Sequence, residues 1–175
     1  MNFSAATVLL ADANVVPAAA MIQILNAIGV RRVFHVADLD RGRQALDQMR
    51  IDLAIVDTGM GGTDGLELVG HIRRSLRAPA NQIPVFAVSG DARASCVAAA
   101  RDAGVDTFLT WPISVDALRR RIGAVLKGDG AFVQSDAFVG PDRRRRNVAA
   151  EGSLERRVAS SLLVARDALS LKRAA

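Results

Sequence analysis

Five short apolar runs recur along the first 127 residues, each followed by a stretch of helical period. No other feature constrains the fold as strongly. Residues 7–11, 33–36, 53–56, 85–88 and 107–110 are rich in Val, Ile, Leu, Phe and Thr and read as buried strands. Between them, apolar residues return at three- and four-residue steps. Pro17 opens a helix with Met21, Leu25 and Ile28 on one face, and Gly29 closes it. Residues 39–50 carry Leu46 and Met49 inward. Residues 65–75 carry Leu66, Val69 and Ile72. An alanine-rich helix over about 92–103 stops at Gly104, and residues 115–127 place Val115, Leu118, Ile122 and Val125 on one stripe. Strands alternating with helices through short loops require a parallel sheet covered on both faces. Five such units predict an α/β flavodoxin-like domain with strand order 2-1-3-4-5.

The remaining 48 residues differ in character. Gly128-Asp129-Gly130 reads as a break. Residues 128–152 read as a flexible arginine-rich linker, because they lack a clear period and contain Arg143, Arg144, Arg145 and Arg146 in succession. Ser153 is placed to cap a final amphipathic helix over 154–172, with Leu154, Val158, Leu162, Ala165 and Leu169 on one face. The expected organisation is therefore a domain at 1–127, a linker at 128–152 and a helix at 153–175.

Composition excludes some classes. No apolar run is long enough to span a membrane, and the first residues lack a basic leader, so a cytoplasmic protein is expected. The single cysteine, Cys96, can form no internal disulfide and reads as a small core residue. The net charge of +5 matters only where it is localised, at the arginine run. No paired general acid and base is apparent, and His35 and His71 stand alone in the sequence, so an enzyme is not expected.

Parallel strands bring their C-terminal ends to one side of a sheet, where such folds bind ligands. Asp12 and Asp57 follow the first and third runs. Two carboxylates there suit a hard divalent cation such as Mg²⁺. Ser89 ends the fourth run, and the residue before Pro112 ends the fifth. Each also has a plain structural reading. Asp57 would bond loop amides, Ser89-Gly90 would form a turn, and Phe108 would sit in the core.

Four stretches resemble the receiver domain of two-component response regulators, the chemotaxis-type (CheY-like) fold. They are VLLADAN at 8–14, DLAIVDTGMGGTDGLEL at 52–68, IPVFAVSGDA at 83–92 and AGVDTFLTWPIS at 103–114, in register from residue 7 to about 127. The resemblance implies that Asp57 is the phosphoacceptor position. It makes Asp12 part of an acidic pocket, with Asp57 and the Gly59 carbonyl as Mg²⁺ ligands. It makes Ser89 the switch hydroxyl and Phe108 the aromatic switch position. It also implies a cis bond before Pro112 and, as partners, a histidine kinase or phosphotransferase and a downstream protein.

The departures from that family are specific. Ala13 stands where a second acid, the usual direct metal ligand, is found. Trp111 stands where a lysine is found, and Gly61 where a loop proline is found. Phosphoryl transfer rests on positioned opposite charge, and an indole offers one N–H and no charge. The departures predict weak transfer, with Trp111 filling the vacated space.

The arginine run has its own reading. Guanidinium groups bind phosphate in a fork, pair with the guanine edge and stack on bases. Asp136 or Asp142 would accept from guanine. Domain order and the run resemble bacterial chemotaxis-like regulators whose arginine-rich tail binds cyclic di-GMP and which act on the flagellar motor. DNA binding is poorly supported, since no helix-turn-helix is recognisable. The expected function is an atypical stand-alone receiver protein in phosphorelay signalling, acting by protein contact. The alternative is a phosphorylation-independent cyclic di-GMP effector.

Overall fold

A computed structural model of the chain describes residues 3–60, 65–74, 76, 78–127, 131–135, 138–142 and 162–165. Five strands form one parallel sheet: β1 (Thr7–Ala11), β2 (Arg32–Val36), β3 (Leu53–Asp57), β4 (Val85–Ser89) and β5 (Thr107–Thr110). Their order is β2-β1-β3-β4-β5, as the alternation predicts. Five helices connect and follow them: α1 (Val15–Ala27), α2 (Leu39–Gln48), α3 (Leu66–Arg74), α4 (Ala94–Asp102) and α5 (Val115–Lys127).

Strand alternation divides the core into two layers. Val8, Leu10, Leu53, Ile55, Phe86 and Val88 face α1 and α5. Leu9, Ala11, Ala54, Val56, Val85 and Ala87 face the side of α2 and α3. Both faces of the central strands are buried, so β3 and β4 run apolar throughout (LAIVD and VFAVS) rather than alternating. α1 begins before Pro17, because the Asn14 side chain accepts from the Val16 N–H and caps the helix there. β3 and β4 each extend one residue past the apolar run, so Asp57 and Ser89 belong to the sheet itself.

Two expectations about the C-terminal portion need correction. Residues 131–134 and 139–141, placed in a flexible linker by the sequence pattern, form strands β6 (Ala131–Gln134) and β7 (Val139–Pro141). Leu162–Ala165, placed in an amphipathic helix, form strand β8. β7-β6-β8 make a second, antiparallel sheet. The physical reason is local. LLVA is a four-residue apolar run that suits a short strand as well as a helix turn, and pairing with β6 decides it. Phe132 has no exposed surface, and burying such a ring contributes about 2–3 kcal/mol that a solvated linker would forgo. The rest of the expected helix, and Arg143 to Arg146, lie outside the described residues.

One buried guanidinium joins the two sheets. Arg73 of α3 donates to the carbonyls of Gly104, Asn81 and Ile83 at 3.0, 2.7 and 2.8 Å. It pairs with Asp106 at 2.8 Å and lies 5.3 Å from the centre of the Phe132 ring. Gly104, with φ of +95°, follows α4 where the chain must turn left-handed. A side chain there would also meet the Val139 carbonyl at 2.6 Å, so glycine lets β7 approach.

Candidate functional site

The C-terminal ends of β1, β3 and β4 assemble the site. Asp12 follows β1 directly. Its N–H donates to the Val36 carbonyl, and its carboxylate accepts from the Asn14 N–H at 2.8 Å, which fixes it at the entry to α1. It is 4% exposed. Asp57 ends β3 and is half-buried. The amides of Thr58 and Gly59 in the turn that follows lie near its carboxylate and favour its charged form. That turn is held by the Thr58 N–H on the Val88 carbonyl and the Gly65 N–H on the Thr58 carbonyl. Gly65 is obligatory, because a Cβ would lie 1.9 Å from the Asp57 carbonyl oxygen.

Both carboxyl groups are pushed above their ordinary value, chiefly by burial. The charge of Asp12 raises Asp57 further, while the two amides pull it down. Asp12 is lowered in part by the Asn14 amide and by His35. The pocket is therefore an anionic pair held close by the sheet register. No described cation sits against Asp57. Two carboxylates with a nearby turn carbonyl are hard oxygen donors and fit Mg²⁺, which is commonly held by one or two carboxylates. Among the described residues no group of three acidic, histidine or cysteine side chains converges on one point, in keeping with Ala13 in place of a third acid.

Ser89 ends β4, is 6% exposed, and its Oγ accepts from the Asp91 N–H at 3.1 Å. Its hydroxyl hydrogen therefore remains available to an oxyanion. Its carbonyl accepts from the Trp111 N–H, which ties β4 to the end of β5. Trp111 is half-buried and packs against the α1/α5 core layer, and the Trp111–Pro112 peptide is cis. Phe108 is half-buried against the other layer, opposite Ala87 in the ladder. The sheet thus brings Asp12, Asp57, Gly59 and Ser89 together and sets Trp111 and Phe108 on opposite faces beside them.

The sequence pattern did not single out His35 for the site. Its Nε2 lies 2.8 Å from the Asp12 carbonyl. The signal was available in principle, since neighbouring β1 and β2 place Leu10 opposite His35, two residues before Asp12. Cys96, read as core, is instead half-buried, with its thiol donating to Asp91 at 3.4 Å. Asp91 is held down to about 2, chiefly by the Arg93 side chain and amide.

The response regulator receiver domain family matches residues 8–123. The chain is 31% identical over 108 residues to the KDP operon transcriptional regulatory protein KdpE of Escherichia coli, covering 62% of this chain and 46% of that protein. It is 27% identical over 106 residues to the two-component response regulator PhoP of Pseudomonas aeruginosa, covering 61% and 45%. The chain thus spans about half the length of these curated relatives. Among solved structures, a putative response regulator from Chloroflexus aurantiacus superposes with a TM-score of 0.63 at 22% identity, over 69% of this chain and 96% of that one. The receiver domain of sensor histidine kinase PA1611 from Pseudomonas aeruginosa, solved with a magnesium ion in its active-site cleft, gives 0.59 at 23%, over 66% and 92%. At these identities the structural likeness carries the fold.

Proposed function

The chain belongs to the response regulator receiver family, and on that premise we propose that Asp57 is its phosphoacceptor, in a pocket with slowed transfer chemistry. The observation that carries this reading is the pair of carboxyls at the ends of β1 and β3, both raised by burial, with Asp57 raised further by Asp12. Two carboxyls held together at the strand ends are the hard oxygen donors that a divalent cation takes. The magnesium in the PA1611 receiver supports that assignment. Asp12, Asp57 and the Gly59 carbonyl would hold Mg²⁺, whose charge offsets that of a transferring phosphoryl group.

The chain's own residues do the rest. A deprotonated Asp57 oxygen forms the bond to phosphorus as the donor's leaving group departs with the bonding electrons. The amides of Thr58 and Gly59 lie near this carboxylate, and that of Gly59 would serve its phosphorylated form. The Ser89 hydroxyl supplies a further donor. Ala13 and Trp111 withhold one carboxylate and one cation. Each loss is worth roughly a hundredfold or more in rate, the scale measured for removal of one stabilising group. The phosphoryl donor is a histidine kinase or phosphotransferase, and the output is contact with another protein.

The arginine run supports a second reading, cyclic di-GMP binding at Arg143 to Arg146. Residues 143–175 hold nine of the 23 Lys and Arg but three of the 18 Asp and Glu, so the positive charge of the chain is concentrated there. Calorimetry of cyclic di-GMP against wild type and the quadruple Arg143–146→Ala variant tests it. Equal behaviour of the two would sink it.

The acceptor reading is tested by intact mass after incubation with acetyl phosphate and Mg²⁺. Slow gain of one phosphoryl group is expected, abolished by removing Mg²⁺ and by Asp57→Asn. Gain of the group in Asp57→Asn, or none in wild type and in an Ala13→Asp/Trp111→Lys variant alike, would refute it.

A further inference from the structure

A groove of about 800 Å³ lies between β2 and the C-terminal end of α2, at the end of the sheet opposite Asp57. Phe34 and Met49 line it and remain 41% and 37% exposed. Three arginines flank it: Arg31, Arg32 and Arg50. The one carboxylate in its wall, Asp52, is buried, accepts from the Thr7 N–H at 2.9 Å and lies 3.9 Å from Arg50. Arg32 donates to the Ala5 carbonyl, and Arg31 has no carboxylate partner among the described residues. β2 is also an edge strand, paired on one side with β1 and open on the other among the described residues.

We propose that this groove binds an extended, acidic segment of a partner protein, laid along β2 with an apolar side chain between Phe34 and Met49. Charge complementarity selects the occupant. A second copy of the chain pairing β2 against β2 would bring the two arginine sets together. The chain's own residues 143–175 are strongly basic and would be repelled likewise. A nucleic acid would satisfy the arginines but not the open backbone edge, which a peptide strand pairs with directly. The apolar floor and cationic rim call for acids alternating with apolar residues, the period of a strand. The site is independent of Asp57, so the receiver would have a docking face that phosphorylation chemistry does not touch.

The test is fluorescence anisotropy of the full chain with a labelled short peptide alternating glutamate with valine and phenylalanine. The same peptide with lysine for glutamate, and a single-stranded oligonucleotide, are the controls. Saturable binding of the acidic peptide is expected, weakened about tenfold or more by Arg31→Glu and by Phe34→Ser, each a surface change. Val97→Ser, another exposed apolar position, and Arg143–146→Ala should leave it intact. Circular dichroism verifies that each variant is folded. Absence of binding, loss of binding in Arg143–146→Ala, or indifference to Phe34→Ser would overturn the proposal. So would tighter binding of the oligonucleotide than of the peptide.

Discussion

Arg73→Met should destabilise the protein by about 3–5 kcal/mol, the usual cost of removing one partner of a buried ion pair. The side chains of Arg73 and Asp106 are 1% and 3% exposed. Methionine keeps most of the volume and the apolar stem, so the loss is one of polar contacts. Three carbonyls, on Gly104, Asn81 and Ile83, lose their donor. Asp106 keeps only part of its support, the Val85 N–H at 2.7 Å among the contacts described. With an unfolding entropy of about 2.1 cal/mol/K per residue over roughly 140 residues, the melting temperature should fall by about 10–17 °C. Thermal and urea unfolding measure the loss. Hydrogen exchange should place it: the amides of β6 lose protection first, because Phe132 gives up the cation over its ring. Adding Asp106→Asn to Arg73→Met removes the stranded charge and should recover part of the loss, a non-additivity of about 0.5–3 kcal/mol. A loss under about 1 kcal/mol, or strict additivity of the two changes, would refute the view that this pair fastens the second sheet.

Other outcomes follow from the acidic pocket. Ala13→Asp with Trp111→Lys should raise the rate of Asp57 phosphorylation by acetyl phosphate roughly a hundredfold or more, read by intact mass against time. Asp57→Asn should raise the melting temperature at pH 7. A carboxyl whose folded pKa lies above 3.8 binds its proton more tightly when folded, so its ionised form is penalised above that folded value. The penalty vanishes below pH 3.8, and melts at pH 3.5 should show no gain for the variant. Gly65→Ala should destabilise the domain by about 1–3 kcal/mol or more, because its Cβ would lie 1.9 Å from the Asp57 carbonyl oxygen. Chemical denaturation checks this, and loss of metal binding at Asp57 should accompany it.

Much of this protein was legible before any coordinates. Apolar runs with the right period fix which residues must be buried, and parallel strands on alternating helices leave few topologies. That logic placed Asp12, Asp57 and Ser89 together at the C-terminal end of the sheet. Ala13 and Trp111 were readable as chemical absences, because a missing charge is a property of the residue itself. Tertiary structure decided the rest, wherever local preference was balanced. LLVA suits helix or strand until β6 lies beside it, and AFVQ reads as linker until Phe132 finds Arg73. The raised carboxyls of Asp12 and Asp57 required burial and proximity, which no spacing in the sequence measures. His35 reached Asp12 through strand order, and the arginines around Phe34 became a groove only when α2 ended beside β2. The sequence determined which groups exist and which must be buried. Only the folded chain decided which of them meet, because charge, desolvation and cross-strand pairing act between residues far apart along the chain.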